Sequence, residues 1–452
     1  MATLAAPVHD LPAPTYAEVN RDIIATLAPP GKRWYAGMAL ILAGLAFGGL
    51  CWALQLKDGL GITGYTPPIF WGTYITTFVF WVGIAHSGTL ISAILFLFRA
   101  GWRTSIYRAS EAMTVFAVMT AGLFPVLHLG RAWFAYWVFP YPNIRGLWSN
   151  FRSPLVWDVF AISTYFTVSA TFLLMGLIPD VAAVRDQAAG WRRKVYGLLS
   201  LGWKNSDREW HHFGRMYLFL AALATPLVLS VHSVVSWDFA MGIVPGWHAT
   251  IFAPYFVAGA IFSGCGMVIT ILVPLRKALG LERYLQVRHF ENLAKLCLLT
   301  SMIVAYAYGT EYFVAWYSGN AVERATFYNR AFGDYWWATW TMIVCNAFIP
   351  QLLWFKRIRT DLRSLFVISI FTNIGMWFER FVIIVTSLSH EFEPWQWAYY
   401  LPRWPELGIL IGSFCWFSMW FLLFIRFFPV VAIAEVKEAL PPPLRVRGGG
   451  HR

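Results

Sequence analysis

Ten long apolar runs, separated by short polar loops, dominate this sequence. Their limits fall near 35–56, 69–98, 110–138, 155–179, 213–236, 250–274, 291–317, 334–356, 362–388 and 407–433. About 20 apolar residues is the length an α-helix needs to cross the hydrocarbon core of a bilayer. Without water to satisfy backbone groups, only helices and closed barrels span that core. The chain therefore reads as an all-α polytopic membrane protein with ten transmembrane helices. Composition agrees where it is decisive: only 13 % of residues are charged, about half the fraction of an ordinary soluble domain.

The formal net charge of +12 would suit a nucleic-acid partner, but the basic residues sit in loops between the runs. Counting Lys and Arg in alternate loops, with the run-end residues Lys356, Arg363 and Arg426 assigned to the segments they adjoin, gives 25 on one side and 6 on the other, and leaves Arg131, Arg215, Lys295 and Arg380 within runs. The positive-inside rule explains that split, with both termini cytoplasmic, and no nucleic acid is expected. The first 34 residues are polar and Pro-rich, without the pattern of a signal peptide, and read as a cytoplasmic tail. Cys51, Cys265, Cys297, Cys345 and Cys415 stand singly in apolar runs. No CxxC or Cys/His spacing suggests a metal, an iron–sulfur cluster or attached haem on this chain.

A weak internal repeat is visible. The second run ends in FLFRAGWRTSIYRASEA and the sixth in LVPLRKALGLERYLQVRHFENLAK. Each joins a basic turn to an Arg and an acidic residue opening the next run. The offset of four runs predicts two similar four-helix bundles, runs 2–5 and 6–9, flanked by runs 1 and 10. The expected divisions are 1–34 (tail), 35–68 (first helix and outer loop), 69–249 and 250–406 (the bundles), and 407–452 (last helix and cytoplasmic tail).

Ionisable residues within the runs carry the functional reading, because a charge at membrane depth is costly and marks a candidate site. The stretch from Gly122 to Asp158 brings His128, Arg131 and Asp158 to one membrane face. At about 1.5 Å rise per residue, His232, Glu311, Glu379 and Arg380 fall in the same outer half. Asp238 is expected just beyond the fifth run. His128 and Arg131, three apart, share a helix face. Adjacent Glu379 and Arg380 should point in different directions. Each has a plainer role: a lone His can bond two helices, Arg131 can snorkel, and Asp158 can favour a helix start. Those roles leave the shared depth unexplained. The cytoplasmic half offers His86, Ser87, Glu111, Lys295 and Asn346, as a proton path or as polar contacts between helices. Quinol oxidation suits the outer cluster. It needs an apolar slot, a partner at each hydroxyl and a base for the protons, and His128 and Asp158 fit those roles. A secondary transporter and a haem-b quinol dehydrogenase, with His128 and His232 as a haem pair, stand as alternatives.

The segments GLFPVLHLGRAW, PNIRGLWSNFRSPLVWDVFAISTYF, LIPDVAAVRD, TPLVLSVHSVVSWDFA and PGWHATIFAPYFVAGAIFSG resemble the quinol-oxidising membrane subunits of bacterial alternative complex III. Those belong to the polysulfide-reductase-like (NrfD-type) family, and the resemblance covers nearly all ten runs. It implies two four-helix bundles in the bacterial inner membrane. A periplasmic-side site within 69–249 would bind menaquinol or ubiquinol. His128 and Asp158 hold the family's catalytic positions. Arg131, His232, Asp238, Glu379 and Arg380 are expected to line the quinol pocket, and His86, Glu111 and Asn346 a proton path. Electrons would leave to a periplasmic iron–sulfur subunit and then to haem c on cytochrome subunits, with a terminal oxidase as a further partner. A paralogous NrfD-type membrane subunit and lipids would surround the chain, which is not expected to act alone.

Overall fold

The computed structural model describes residues 14–143 and 145–440. The outermost parts of both expected tails, 1–13 and 441–452, lie outside the described residues.

The described chain is helical. A first helix, α1 (Tyr16–Ala25), forms within the expected tail, where Thr15 and Glu18 make a reciprocal capping box. Its Val19 and Ile23 are fully buried. Then follow α2 (Lys32–Asp58), α3 (Thr73–Leu97), α4 (Tyr107–His128), α5 (Pro154–Gln187), α6 (Gly190–Leu199), α7 (Asp207–Ala240), α8 (Phe252–Ala278) and α9 (Val287–Tyr317). After them come α10 (Ala321–Phe332), α11 (Trp336–Ile343), α12 (Leu362–Ser389), α13 (Trp404–Phe427) and α14 (Ile433–Glu438). Nine of these among the described residues are long and apolar enough to cross a membrane: α2 to α5, α7 to α9, α12 and α13.

Two expected runs are corrected. The run at 334–356 is not one α-helix: α11 passes into a π-turn, Val344–Phe348, then a 3-10 stretch, Ile349–Trp354. Pro350 lies in the 3-10 stretch, where its missing N–H cannot serve an α-helical ladder. The run at 110–138 ends as an α-helix at His128, and 3-10 turns take over from Ala132 to Val138. Gly130, at φ +68°, makes the bend between them, a conformation that costs Gly little.

Packing is close where side chains are small. α2 lies along α13, and a Cβ on Gly48 would sit 2.7 Å from the Gly412 Cα. Small residues let helix backbones meet in this way in lipid. α3 is the central helix, with every residue from Thr73 to Thr89 buried. It packs on α4 and α8, α5 packs on α7, and α8 also touches α9 and α12. π-turns interrupt α3 at Leu90–Ile94 and α12 at Val382–Thr386. With the one after α11, each lies beside a buried polar residue: His86, Arg380 or Asn346. π-turns are frequent at functional sites.

Candidate functional site

Pro154 opens α5 after Ser153, and its fixed φ suits a first helical turn. One turn on, Asp158 is buried. α7 continues to Ala240, so Asp238 lies within its last turn rather than beyond it. The two carboxyls face each other closely enough to interact. Beside them Trp157 and Trp237 meet edge to face, ring centroids 6.0 Å apart. Both Asp158 carboxyl oxygens and Asp238 Oδ1 are buried without a hydrogen-bond partner. Leaving such oxygens unpaired is costly, and the arrangement suits groups that take protons from a bound molecule.

His128 ends α4 half-buried, with Nδ1 buried and unpartnered. Its ring meets Tyr65 edge-on at 6.1 Å, and Tyr65 stacks on Tyr400 at 5.6 Å. Tyr400 hydrogen-bonds Glu406 and Thr73, and Tyr74 donates to Gln55, whose amide donates to the Leu127 carbonyl at 2.7 Å. Burial pushes the Tyr65 phenol well above its ordinary range, with Tyr400 and Glu406 adding to the shift, so the phenol remains a donor. Among the described residues no hydrogen bond or ion pair joins His128 to Asp158 or Asp238. Arg131 does not share a helix face with His128: it follows the Gly130 bend and is exposed.

Glu379 and Arg380 do not diverge. Their side chains curl together into an ion pair, Arg380 Nη1 to Glu379 Oε1 at 2.7 Å, buried to 2 % and 0 % exposure. Gly259 on α8 leaves the room, since a Cβ there would meet Arg380 Nη2 at 3.2 Å. Tyr308 donates to Glu379 and accepts from Asn346 Nδ2 at 2.9 Å. Asn346 therefore belongs to the Glu379 network rather than to a separate half of the molecule. His86 and His232 were expected at different depths, but their rings touch at a 4.5 Å centroid separation. Nδ1 of His86 donates to the Val82 carbonyl at 2.6 Å, while its Nε2 and both nitrogens of His232 are buried without partners. The Arg380 guanidinium lies over Phe256 at 4.5 Å and within electrostatic reach of both imidazoles. Tyr165 stacks on His86 at 5.0 Å and bonds Thr89 at 2.7 Å.

At the opposite end Glu111 is buried in an ion cluster. Arg108 bridges Glu111 at 3.4 Å and Asp180 at 3.2 Å, and Tyr217 donates to Glu111 at 3.3 Å. Arg103 pairs with Glu435 of α14 at 2.8 Å. Along α5, Asp158 and Asp180 are separated by about 33 Å at helical rise, close to the thickness of a hydrocarbon core. The His86–His232 pair lies between the two ends. Glu311, expected with the outer group, is buried with Oε1 unpartnered.

Sequence reasoning did not single out Tyr65, Gln55, Tyr308, Arg108 or Asp180. The Tyr and Gln residues look like ordinary interfacial or loop residues. Arg108 and Asp180 fall just outside the apolar runs at 110–138 and 155–179, so they read as loop charges, and only helices longer than those runs bring them inside. Among the described residues no group of three or more His, Cys, Asp or Glu side chains is placed to hold a metal ion.

Comparison with known proteins bears on this arrangement. The family described as polysulphide reductase, NrfD, matches residues 61–390. A Halobacterium salinarum protein, provisionally described as a membrane subunit of dimethyl sulfoxide reductase, is 28 % identical over 255 residues, 56 % of this chain and 54 % of that protein. A selenate reductase subunit of Mesobacillus selenatarsenatis is 23 % identical over 304 residues, 64 % of this chain and 66 % of that protein. The match thus spans about half the length of the first relative and just under two thirds of the second.

Proposed function

The chain belongs to the polysulphide reductase NrfD family, and on that premise we propose that it is the quinol-oxidising membrane subunit of a multi-subunit respiratory oxidoreductase. The observation that carries this reading is the facing pair of buried Asp158 and half-buried Asp238, with both Asp158 oxygens and Asp238 Oδ1 unpartnered at one end of two long spans. A quinol bound there gives up two protons and two electrons. The protons go to the Asp158–Asp238 pair and to His128, acting as general bases. The electrons go to an iron–sulfur cluster on a partner subunit. Arg131, His232, Glu379 and Arg380 complete the expected pocket, with Arg380 and Glu379 acting as a fixed pair behind it. The exposed aromatics Trp133, Trp137, Phe139 and Trp148 lie in the loop beside this end and form a surface for a partner protein to cover.

The charge asymmetry of the loops supports a cytoplasmic location for both termini and a periplasmic site, with the segment 336–354 as a tenth crossing. The weak repeat supports two bundles, within 69–249 and 250–406. The polar groups from His232 and His86 through Tyr165 to Glu111, with Asn346 on a side branch, support a route for proton translocation. The resemblance to alternative complex III favours cytochrome c partners, a paralogous membrane subunit and a terminal oxidase. The two relatives, named as subunits of dimethyl sulfoxide and selenate reductases, favour a terminal reductase as acceptor with the same quinol chemistry. Both readings meet the same test at the site. Quinol:acceptor activity is measured in membranes carrying His128→Ala or Asp158→Asn, alongside assembly of the complex. Loss of turnover in an assembled complex is expected, and wild-type turnover in either variant overturns the assignment. A c-type haem spectrum in the purified complex selects the first acceptor, and its absence the second.

A further inference from the structure

Between α2, α8 and α13 lies a groove of about 1020 Å³, far from the carboxyl pair. Its walls are apolar, formed by Ile41, Ile271, Leu275, Phe421 and Leu422. Its mouth carries Lys32, Arg33 and Arg426, with no carboxylate among the lining residues. Arg426 Nη1 donates to the carbonyls of Leu27 at 2.5 Å and Ala28 at 3.2 Å, bracing the Pro29–Pro30–Gly31 turn that forms the mouth. α2 starts there with no side-chain cap, so its first N–H groups and its dipole favour an anion. Trp34 lines the same groove, and its Nε1 is buried without a hydrogen-bond partner.

We infer that this groove binds one anionic phospholipid, the phosphodiester held by Lys32, Arg33 and the uncapped start of α2, and the acyl chains laid along α8 and α13. Three cations with no ion-pair partner among the described residues call for an anion. An apolar body continuous with that mouth calls for hydrocarbon, and an indole N–H at the junction is a donor suited to a glycerol ester carbonyl. A soluble phosphate would leave the walls bare, and a zwitterionic lipid would bring a quaternary ammonium to a mouth that already holds Lys32, Arg33 and Arg426. The lipid would fasten the first span to the last, since both helices line the groove.

The test uses the full chain, delipidated in mild detergent and titrated with phosphatidylglycerol or phosphatidylcholine while bound lipid is counted by native mass spectrometry. One tightly held phosphatidylglycerol is expected, with phosphatidylcholine failing to replace it. Lys32→Gln/Arg33→Gln should weaken binding roughly thirty-fold, the effect of two basic residues at a membrane surface. Leu422→Trp should block the acyl path and abolish binding with those charges intact. Lys204→Gln/Arg208→Gln removes two charges outside the groove and should leave binding unchanged. Equal retention of the two lipids, unchanged binding in the groove variants, or equal weakening in the control pair overturns the site. So does recovery of a quinone, or of another part of the chain, from the groove.

Discussion

The most informative residues are those whose polar atoms are buried without partners. Asp158 and Asp238 share one environment, so their effects should not add. Asp158→Asn and Asp238→Asn are each expected to lower quinol turnover about 10²–10⁴-fold, the range for losing a positioned base. The double variant should fall no further than the worse single, because groups acting as a unit are not additive. Turnover measured in assembled complexes checks this, and a multiplicative loss would separate the two carboxyls. Arg108 makes a different case, a single guanidinium pairing with two buried carboxylates, Glu111 and Asp180. Arg108→Met should destabilise the chain by about 3–5 kcal/mol, leaving Glu111 and Asp180 as uncompensated buried charges. Arg108→Met/Glu111→Leu/Asp180→Leu should recover most of that loss in a detergent melt. Much of this chemistry was legible in the sequence as a charge inside an apolar run. What was not legible was pairing. Adjacent Glu379 and Arg380 point apart on an ideal helix, yet a flexible guanidinium folds back to its neighbour once Gly259 makes room. Depth also failed for His86 and His232, because a rise per residue counted from uncertain run ends accumulates error that only packing removes.

Among the elements, α2 and α13 show what the apolar pattern conveys and what it leaves out. Length and hydropathy announce both helices, while nothing in either run says that they pair. The pairing comes from Gly48 and Gly412, whose missing side chains let the backbones touch. Gly48→Leu is expected to cost about 1–3 kcal/mol through overpacking. Gly49→Leu, where a Cβ would meet nothing within 4 Å, should cost close to zero, because its side chain faces lipid. A detergent melt of the two variants compares them directly, and equal losses would remove the close approach as the reason these helices pair. The eighth run was the hardest element to foresee. It is apolar and long enough for a helix, but Pro350 and the π-turn at Asn346 alter its backbone ladder. That distortion points the Asn346 side chain at Tyr308, a placement hydropathy cannot encode.

At the scale of the molecule, topology turns on whether that distorted segment crosses the membrane, since each later loop changes side with the answer. α9 runs from Val287 to Tyr317, and Arg359 returns to pair with Glu291 near its start at 3.1 Å. From Glu291 to Tyr317 is about 39 Å along a helix, more than a hydrocarbon core. The chain between Tyr317 and Arg359 must therefore travel back over that length. Ser301, midway along α9, donates to the Asn346 carbonyl at 2.6 Å, which puts 336–354 alongside α9 during the return. Single cysteines in a background lacking the five native ones test this with a membrane-impermeant maleimide. Lys194→Cys and Lys356→Cys should react only from the cytoplasmic side, and Arg145→Cys and Glu393→Cys only from the periplasmic side. If 336–354 failed to cross, Lys356→Cys and Glu393→Cys would exchange sides while Lys194→Cys and Arg145→Cys kept theirs. That exchange would reverse the charge bias of every later loop and place the C-terminal tail opposite the N-terminal one. It would also divide α1 from α14, which touch each other, so one labelling pattern tests the tenth crossing and the shared location of the termini together.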